Sequence, residues 1–394
     1  MSLSNTYPNP VRIAVIGGTG MSHLEHEGFT AVASLNVDTP YGKPSSPITI
    51  LQTPAGEPIA FLSRHGLHHE LTPTEVPNRA NIAALRSIGV RSVIAFSAVG
   101  SLREQIKPKD FVIPSQVIDR TKGIRPFTFF EAGVVGHVGF ADPFDAALGK
   151  VVEKVGSSSV LEGSGVKLHS DKLLICMEGP QFSTRAESNL YRSWGGDVIN
   201  MSALPESKLA REAELAYCMI CMSTDYDCWK VGEAAVTVET VMGNMHANGA
   251  NAKRLVAAVL EELAKEEHQD LVNALHLEGS SRFACCTAPA GRGEEALKKL
   301  EWLLPGYFAE GLGSTNFLIS GYRSKTAADQ NVPHILLRCG LNHATRMQAQ
   351  RDLRTKNLTL KTLLYEEKGM EAAAEIWAEF EKARWKYEIV RNED

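Results

Sequence analysis

The apolar positions of the chain gather into short runs: RIAVIGG (12–18), ITILQ (48–52), PIAFLSRHG (58–66), RSVIAFSAVG (91–100), KDFVIPSQVI (109–118), KLLICME (172–178), DVINMS (197–202) and ELAYCMICMS (214–223). Runs this short and this continuously apolar read as strands. The stretches between them change to helical spacing. Helices are predicted over 77–88, 184–194, 204–213 and 237–266, the last from an apolar face of Val238, Val241, Met245, Val256, Val259, Leu260 and Leu263. The alternation predicts an α/β domain. In such folds ligands sit beyond the carboxyl ends of strands, so residues that close a run are the first candidates for chemistry.

The alternation stops near APAGRG, and a domain boundary is expected there: 1–288 as the α/β domain and 289–394 as a C-terminal extension that is mainly helical. Within the extension, 368–391 places Met370, Ala373, Trp377, Phe380 and Tyr387 near one side of a helix, interrupted by Arg384. That side must bury against the main domain or a partner.

Composition narrows the function. At 394 residues and 44% hydrophobic, the chain can bury a sizeable core and is not a disordered segment. A net charge of -5 with no dominant block of one sign argues against nucleic acid or an acidic membrane surface as partner. No apolar run approaches the ~18 residues of a membrane span, and MSLSNTYPNP lacks signal-peptide character, so a soluble intracellular protein is expected. The 7 cysteines are odd in number and match no zinc spacing; Cys218 and Cys221, although spaced CxxC, lie in a buried strand and read as packing.

Five run ends carry chemistry. VIGGTG (15–20) is a glycine turn whose N–H groups can approach an anion, with the Thr19 hydroxyl added. A dinucleotide loop would need glycine where His23 stands, and no Walker Lys-Ser/Thr follows. SRHG (63–66) offers the planar fork of Arg64 and the imidazole of His65 to an oxyanion. FSAVGSL (96–102) presents Ser97 beside the small Ala98, and NMSALPE (200–206) presents Ser202, which would also serve as a helix cap. In STDYDCW (223–229), Asp225 and Asp227 are spaced so that an extended backbone points both carboxylates the same way. Carboxylates ending a very apolar strand are costly unless used. A general acid and a hydrogen-bond acceptor for a heterocycle suit them better than a metal, for which no further oxygen ligands stand nearby. An anion cradle facing two aspartates implies displacement by an inorganic oxyanion.

With these residues in place the chain resembles a known family. IGGTG, DTPYGKPS (38–45), RHG, NRANIAALRSIGV (78–90), GSLREQIKPKDFVI (100–113), DRTKGIRPFTFF (119–130), MEGPQFSTRAES (177–188), DVINMSALPESKLAREAELAY (197–217) and STDYDCW resemble the purine nucleoside phosphorylase family, in its methylthioadenosine branch. The resemblance spans roughly residues 10–285 and leaves the extension uncovered. It implies a mixed central β-sheet flanked by helices, a homotrimer in the cytoplasm and the nucleus, no metal, and no cofactor beyond inorganic phosphate as co-substrate. The reaction it implies is phosphate attack on the anomeric carbon of methylthioadenosine, with release of adenine and inversion at the sugar.

The resemblance also implies roles. Thr19, Arg64, His65, Ser97, the N–H of Ala98, and Ser202 would hold phosphate. Asp225 would protonate or hydrogen-bond the leaving purine, and Asp227 would accept from its exocyclic amino group, favouring 6-aminopurines. Phe182 would pack on the base, the Met201 stretch would contact the ribose, and His137 would be lent to a neighbouring subunit's site. Ser183, Val238, Val241 and Met242 would set the preference for methylthio over hydroxyl. The family usually carries Thr where Ser97 and Ser202 stand, so the methyl groups that restrict those rotamers are missing here. It also usually ends near the position of Pro289. Two other functions fit the same residues: a phosphorylase of ordinary purine nucleosides or methylthioinosine, and a silent phosphorylase scaffold carrying an interaction tail.

Overall fold

The computed structural model describes residues 3–308 other than 22, 25–27, 122 and 233–236, and within these all side chains but those of 159, 238, 240, 246 and 247. The expected helix over 368–391, like the rest of the extension beyond 308, lies outside the described residues.

Nine strands form one mixed sheet: β1 (Ile13–Gly17), β2 (Thr30–Leu35), β3 (Ile48–Gln52), β4 (Pro58–Ser63), β5 (Ser92–Ser101), β6 (Phe111–Asp119), β7 (Leu168–Cys176), β8 (Val198–Asn200) and β9 (Ala216–Asp225). Their order is β2-β3-β4-β1-β5-β8-β7-β6-β9, and β9 pairs back onto β5, so half of the sheet closes on itself. Closure removes open edges there. The helices are α1 (Asn78–Ser87), α2 (Ala146–Gly156), α3 (Arg185–Ser193), α4 (Ala203–Glu212), α5 (Val238–Leu263), α6 (Gln269–Val272) and α7 (Glu294–Leu303).

Both faces of the sheet are covered, which is why its central runs are continuously apolar. In β1, Ala14 and Ile16 join one core with Ile82 and Leu85 of α1 and Leu209 of α4. Ile13 and Val15 point the other way, into a second core with Val151 and Val152 of α2 and Leu255, Val256 and Val259 of α5. The sequence also places helix starts. Thr184 and Glu187 form a reciprocal capping box on α3, and Asp145 caps α2 through the Leu148 N–H.

β5 changes partners along its length, and this opens the site. β1 accompanies Ser92–Ala95, β8 takes Gly100 and Ser101, and β9 runs beside Ser92–Gly100. Residues 96–99 therefore have a strand on one side only. The Phe96 carbonyl and Ser97 side chain are left to bond with other groups.

The boundary expected at 288 falls too early. The chain divides into one unit of Met1–Ser314 and another of Thr315–Asp394. In α7, EEALKKLEWL places Ala296, Leu297, Leu300 and Leu303 at helical spacing, and all four are buried with Leu304 and Phe308 in the same core as α1. The Tyr307 hydroxyl donates to buried Glu214, 2.9 Å away. The βα alternation does end near 288, but one more amphipathic helix completes the core. The strand-seeking pattern also passed over β2, whose TAVASL is built from small residues at the sheet edge, and α2, where Gly149 interrupts the spacing.

Candidate active site

The residues expected to form the anion cradle lie past the carboxyl ends of β4, β1 and β8 and midway along β5. Gly17 is in register with Ser63, and the Arg64 N–H donates to the Gly17 carbonyl at 2.9 Å, so the two turns lie side by side. A Cβ added at Gly18 would stand 2.6 Å from both Arg64 Nη1 and the Phe96 carbonyl oxygen. Only glycine allows this approach. Arg64 is fully buried: Nε and Nη2 donate to Glu206 Oε2 and Oε1 at 2.7 and 2.8 Å, and Nη1 donates to the Phe96 carbonyl at 2.6 Å. Burial opposes its charge, yet the Glu206 carboxylate more than offsets this, raising its pKa. Three of the five N–H groups are used, and the remaining two are available to an anion beside Gly18 and the half-buried Thr19.

His65 follows Arg64 and enters the same region. Its Nδ1 lies 2.9 Å from the Leu71 carbonyl, which can only accept, so Nδ1 carries the proton. Burial and the adjacent Arg64 charge push its pKa down to about 4, leaving the ring neutral with a lone pair on Nε2. Such a nitrogen accepts from a protonated phosphate oxygen.

Ser97 and Ser202 are brought together across the gap in β5, Oγ to Oγ at 2.8 Å. Asn200 Nδ2 donates to Ser97 Oγ at 3.0 Å. The hydroxyls that lack the methyl groups of threonine are thus fixed by one another and by Asn200. Ala98 follows on β5, half-buried. Ser202 precedes α4 as expected for a cap, but it makes no capping hydrogen bond.

The two aspartates close β9, although not on one extended edge. β9 ends at Asp225, and the chain turns at Asp227, with φ at 47°, into the short turn Asp227–Trp229. Both carboxylates remain beside β5: a Cβ at Gly100 would lie 3.1 Å from Asp225 Oδ1 and 3.4 Å from Asp227 Cβ. Asp225 accepts from the Asp227 N–H and from the Thr224 hydroxyl, each at 2.7 Å. Asp227 accepts from the buried Ser188 hydroxyl at 2.5 Å. Burial raises the pKa of both, against these hydrogen bonds. Among the described residues, the carboxylates and imidazole close enough to share an ion are Glu262, Glu267 and His268, where Lys154 and Lys265 already neutralise Glu262.

α5 joins the two halves. Met245 covers Gly20, and Asn244 Nδ2 donates to the Thr224 carbonyl at 2.7 Å, so the first turns of the helix reach both the glycine loop and the end of β9. Val241 and Met242 lie on these turns, half-buried. Val238 begins the helix, and its side chain is outside the described set. Met201 packs over Gly179, while Ser183 donates to Met177 Sδ at 3.4 Å and its carbonyl accepts from the Cys228 thiol. Phe182, beside Ser183, is 43% exposed. His137 is not drawn into this constellation within one chain: its side chain is exposed, and its N–H bonds the Ala284 carbonyl.

Several participants were not read from the sequence. Glu206 lies 142 positions from Arg64, and nothing local indicates that pairing. Tyr217, whose hydroxyl donates to Glu206 at 2.7 Å, reads as one more apolar strand residue. Ser188, Asn200 and Thr224 act only through register and packing. Arg125 is fully buried in a loop, where its charge alone would suggest exposure.

The model of the phosphorylase superfamily matches residues 12–261. The chain belongs to the phosphorylase superfamily. Among curated superfamily members, S-methyl-5'-thioadenosine phosphorylase of Tuber melanosporum is 77% identical over 309 residues, covering 78% of this chain and 100% of that protein. A methylthioadenosine phosphorylase from an antarctic soil metagenomic library superposes with a TM-score of 0.68 at 39% identity, covering 76% of this chain and 100% of the other. The Schistosoma mansoni methylthioadenosine phosphorylase, solved with adenine, has a TM-score of 0.64 at 29% identity over 71% of this chain and 100% of its own. The superfamily fold is the mixed sheet described above.

Proposed function

We propose that this protein catalyses phosphorolysis of S-methyl-5'-thioadenosine to adenine and 5-methylthioribose 1-phosphate. The geometry that supports the reading is that Arg64, from the turn beside Gly18, bonds the Phe96 carbonyl of β5, that Ser97 next to it meets Ser202, and that Asp225 and Asp227 stand beside Gly100 of the same strand. The name and high identity of the Tuber melanosporum relative support the same substrate.

In this reading phosphate is held by the two remaining Arg64 N–H groups, the Thr19, Ser97 and Ser202 hydroxyls and the Ala98 N–H. His65 Nε2 accepts from its protonated oxygen. A phosphate oxygen attacks the anomeric carbon as the bond to purine N9 breaks, and the N9 electron pair passes into the ring. The purine then gains a proton at N7. Asp225 supplies it: burial favours its acid form, and the Thr224 hydroxyl can turn from Asp225 Oδ2 to the Val99 carbonyl at 3.2 Å, freeing Oδ2 to donate. Asp227 accepts from the exocyclic amino group, and Val238, Val241 and Met242 receive the methylthio group, with Ser183 near the base. Phosphate is the co-substrate, and no other cofactor is needed.

A trimer is the assembly that fits this reading, with Phe182 packing on the base and His137 reaching a neighbour's site. The exposed apolar side chains Ile124 (59%), Phe127 (49%) and Phe283 (84%) support an interface. Sedimentation equilibrium tests it.

The deciding experiment is adenine release from methylthioadenosine with and without phosphate. Phosphate-dependent release supports the reading. No release from a folded protein leaves the silent scaffold, and equal kcat/KM for methylthioadenosine and adenosine leaves a general purine nucleoside phosphorylase.

A further inference from the structure

Arg125 lies in the loop after β6, flanked by the exposed Ile124, and is itself buried. Its Nη1 donates to the carbonyls of Met201 and Leu204, and its Nη2 to the carbonyl of Glu178, all at 2.6 Å. These acceptors come from two segments that carry the site. One runs from β7 through Glu178 and Gly179 to Phe182 and Ser183. The other runs from Asn200 through Met201 and Ser202 into α4. Leu204, at φ -120° and ψ 138°, breaks the first turn of α4, and Pro205 has no N–H to give the Met201 carbonyl a helical partner. Arg125 satisfies that carbonyl and ties the break to the opposite segment. The segments also meet through the Met177 N–H on the Asn200 carbonyl at 2.8 Å, the Leu204 N–H on Cys176 Sγ at 3.3 Å and the packing of Met201 over Gly179, but Arg125 alone of these bonds backbone carbonyls of both segments at once.

We infer that Arg125 is a positioning residue for the reaction, fixing Met201 and Ser202 against the Glu178–Ser183 segment so that ribose and phosphate are held in one geometry. It touches neither substrate. It acts through backbone carbonyls, and a planar fork is what reaches three of them; a lysine ammonium at the same depth cannot. Nε stands 3.5 Å from Glu178 Oε2, and neither atom has a hydrogen-bond partner, so the charge of Glu178 adds attraction without replacing the carbonyl contacts.

The inference rests on the phosphorolysis proposed above, and wild-type turnover separates the two: no adenine release from wild type defeats that reading, whatever the variants do. Arg125→Lys keeps the charge and loses the fork, and Arg125→Gln loses both. Each is compared with wild type by thermal unfolding and by varying methylthioadenosine and phosphate separately, with active sites titrated. In folded protein, KM for both substrates is expected to rise, and kcat/KM for each to fall at least tenfold, with Lys recovering part of what Gln loses. Native KM values for both substrates in either folded variant, with only the fraction of active sites reduced, would overturn the inference. So would failure of both variants to fold, which would make Arg125 a requirement of folding and nothing more specific.

Discussion

The Arg64 guanidinium and the Glu206 carboxylate meet through two hydrogen bonds, 2.7 and 2.8 Å, with both groups fully buried. The pair fixes the arginine with Nη1 beside Gly18, and the Tyr217 hydroxyl bonds the same carboxylate. In the proposed reaction the cradle would consequently hold phosphate mainly by directed hydrogen bonds, because the arginine charge is already countered and His65 is neutral.

Glu206→Gln replaces one acceptor oxygen by a donor facing the guanidinium. The phosphate KM is expected to rise tenfold or more, with the nucleoside KM changed far less. Breaking one side of a buried ion pair also costs about 3–5 kcal/mol of stability. Tyr217→Phe, which keeps the pair, serves as the milder case and should raise the phosphate KM in the same direction. An unaltered phosphate KM in both would remove Glu206 from the cradle.

Asp225 is the expected acid, and its pKa is raised by burial. Its protonated form persists to higher pH than that of a surface aspartate, and a rate that needs the acid falls as pH rises through the raised pKa. Asp225→Asn cannot ionise. It should lose two to four orders of magnitude in kcat, the usual contribution of general acid catalysis, and lose the alkaline fall assigned to this group. A variant that keeps that fall would assign it elsewhere. For stability the sign is the same: the acid form is favoured on folding, so the contribution is complete below the unfolded pKa and is lost as pH rises through the folded one.

How much of this could be read beforehand depends on range. The turns after Gly17 and Asn200 and the end of β9 at Asp225 were legible because buried strands are continuously apolar and the residues that end each run stand out. Ser97, expected where a strand stops, instead lies midway along β5, which runs on to Ser101. The partner of each residue was not legible. Arg64 and Glu206 meet only once β4 and α4 are packed, and the tie from Ser188 to Asp227 depends on a positive-φ turn that replaces the extended pair expected from the i, i+2 spacing. The helix α7 was missed for a different reason. Its apolar face is interleaved with Glu and Lys, and it follows the point where βα alternation ends.

Glu212 shows a pH dependence unrelated to catalysis. Burial raises its pKa from 4.5 to about 7, although it accepts from the Phe129 N–H at 2.6 Å and the Thr128 hydroxyl at 2.7 Å. A raised carboxyl pKa favours the folded form at low pH. The contribution is complete below about 4.5 and is lost as pH rises through about 7. Glu212→Gln can accept from Phe129 and donate to Thr128, so it keeps both contacts without titrating. Relative to this variant, wild type should lose on the order of 3 kcal/mol between pH 4.5 and pH 8. Unfolding curves of both proteins across that range measure it, and parallel curves would contradict the assignment.

The last helix makes the sharpest claim about where the folded unit stops. Leu297, Leu300, Leu303, Leu304 and Phe308 are buried against α1 and the sheet, and Glu214 binds the N–H groups of Gly279 and Ser281 together with the Tyr307 hydroxyl. At about 1.5–3 kcal/mol for each fully buried apolar side chain, losing the five is worth on the order of 10 kcal/mol. That is comparable to the whole stability of a typical domain. A protein ended after residue 290 is therefore expected to be insoluble or unfolded, even though the candidate catalytic residues named above all precede that point. One ended after residue 314, the limit of the first unit, should fold and release adenine at the full-length rate. Cooperative melting and adenine release, measured on both truncations, distinguish the boundaries. A soluble, active protein ending at 290 would return the boundary to where the alternation of strands and helices stops, and would make α7 an ornament on a core that closes without it.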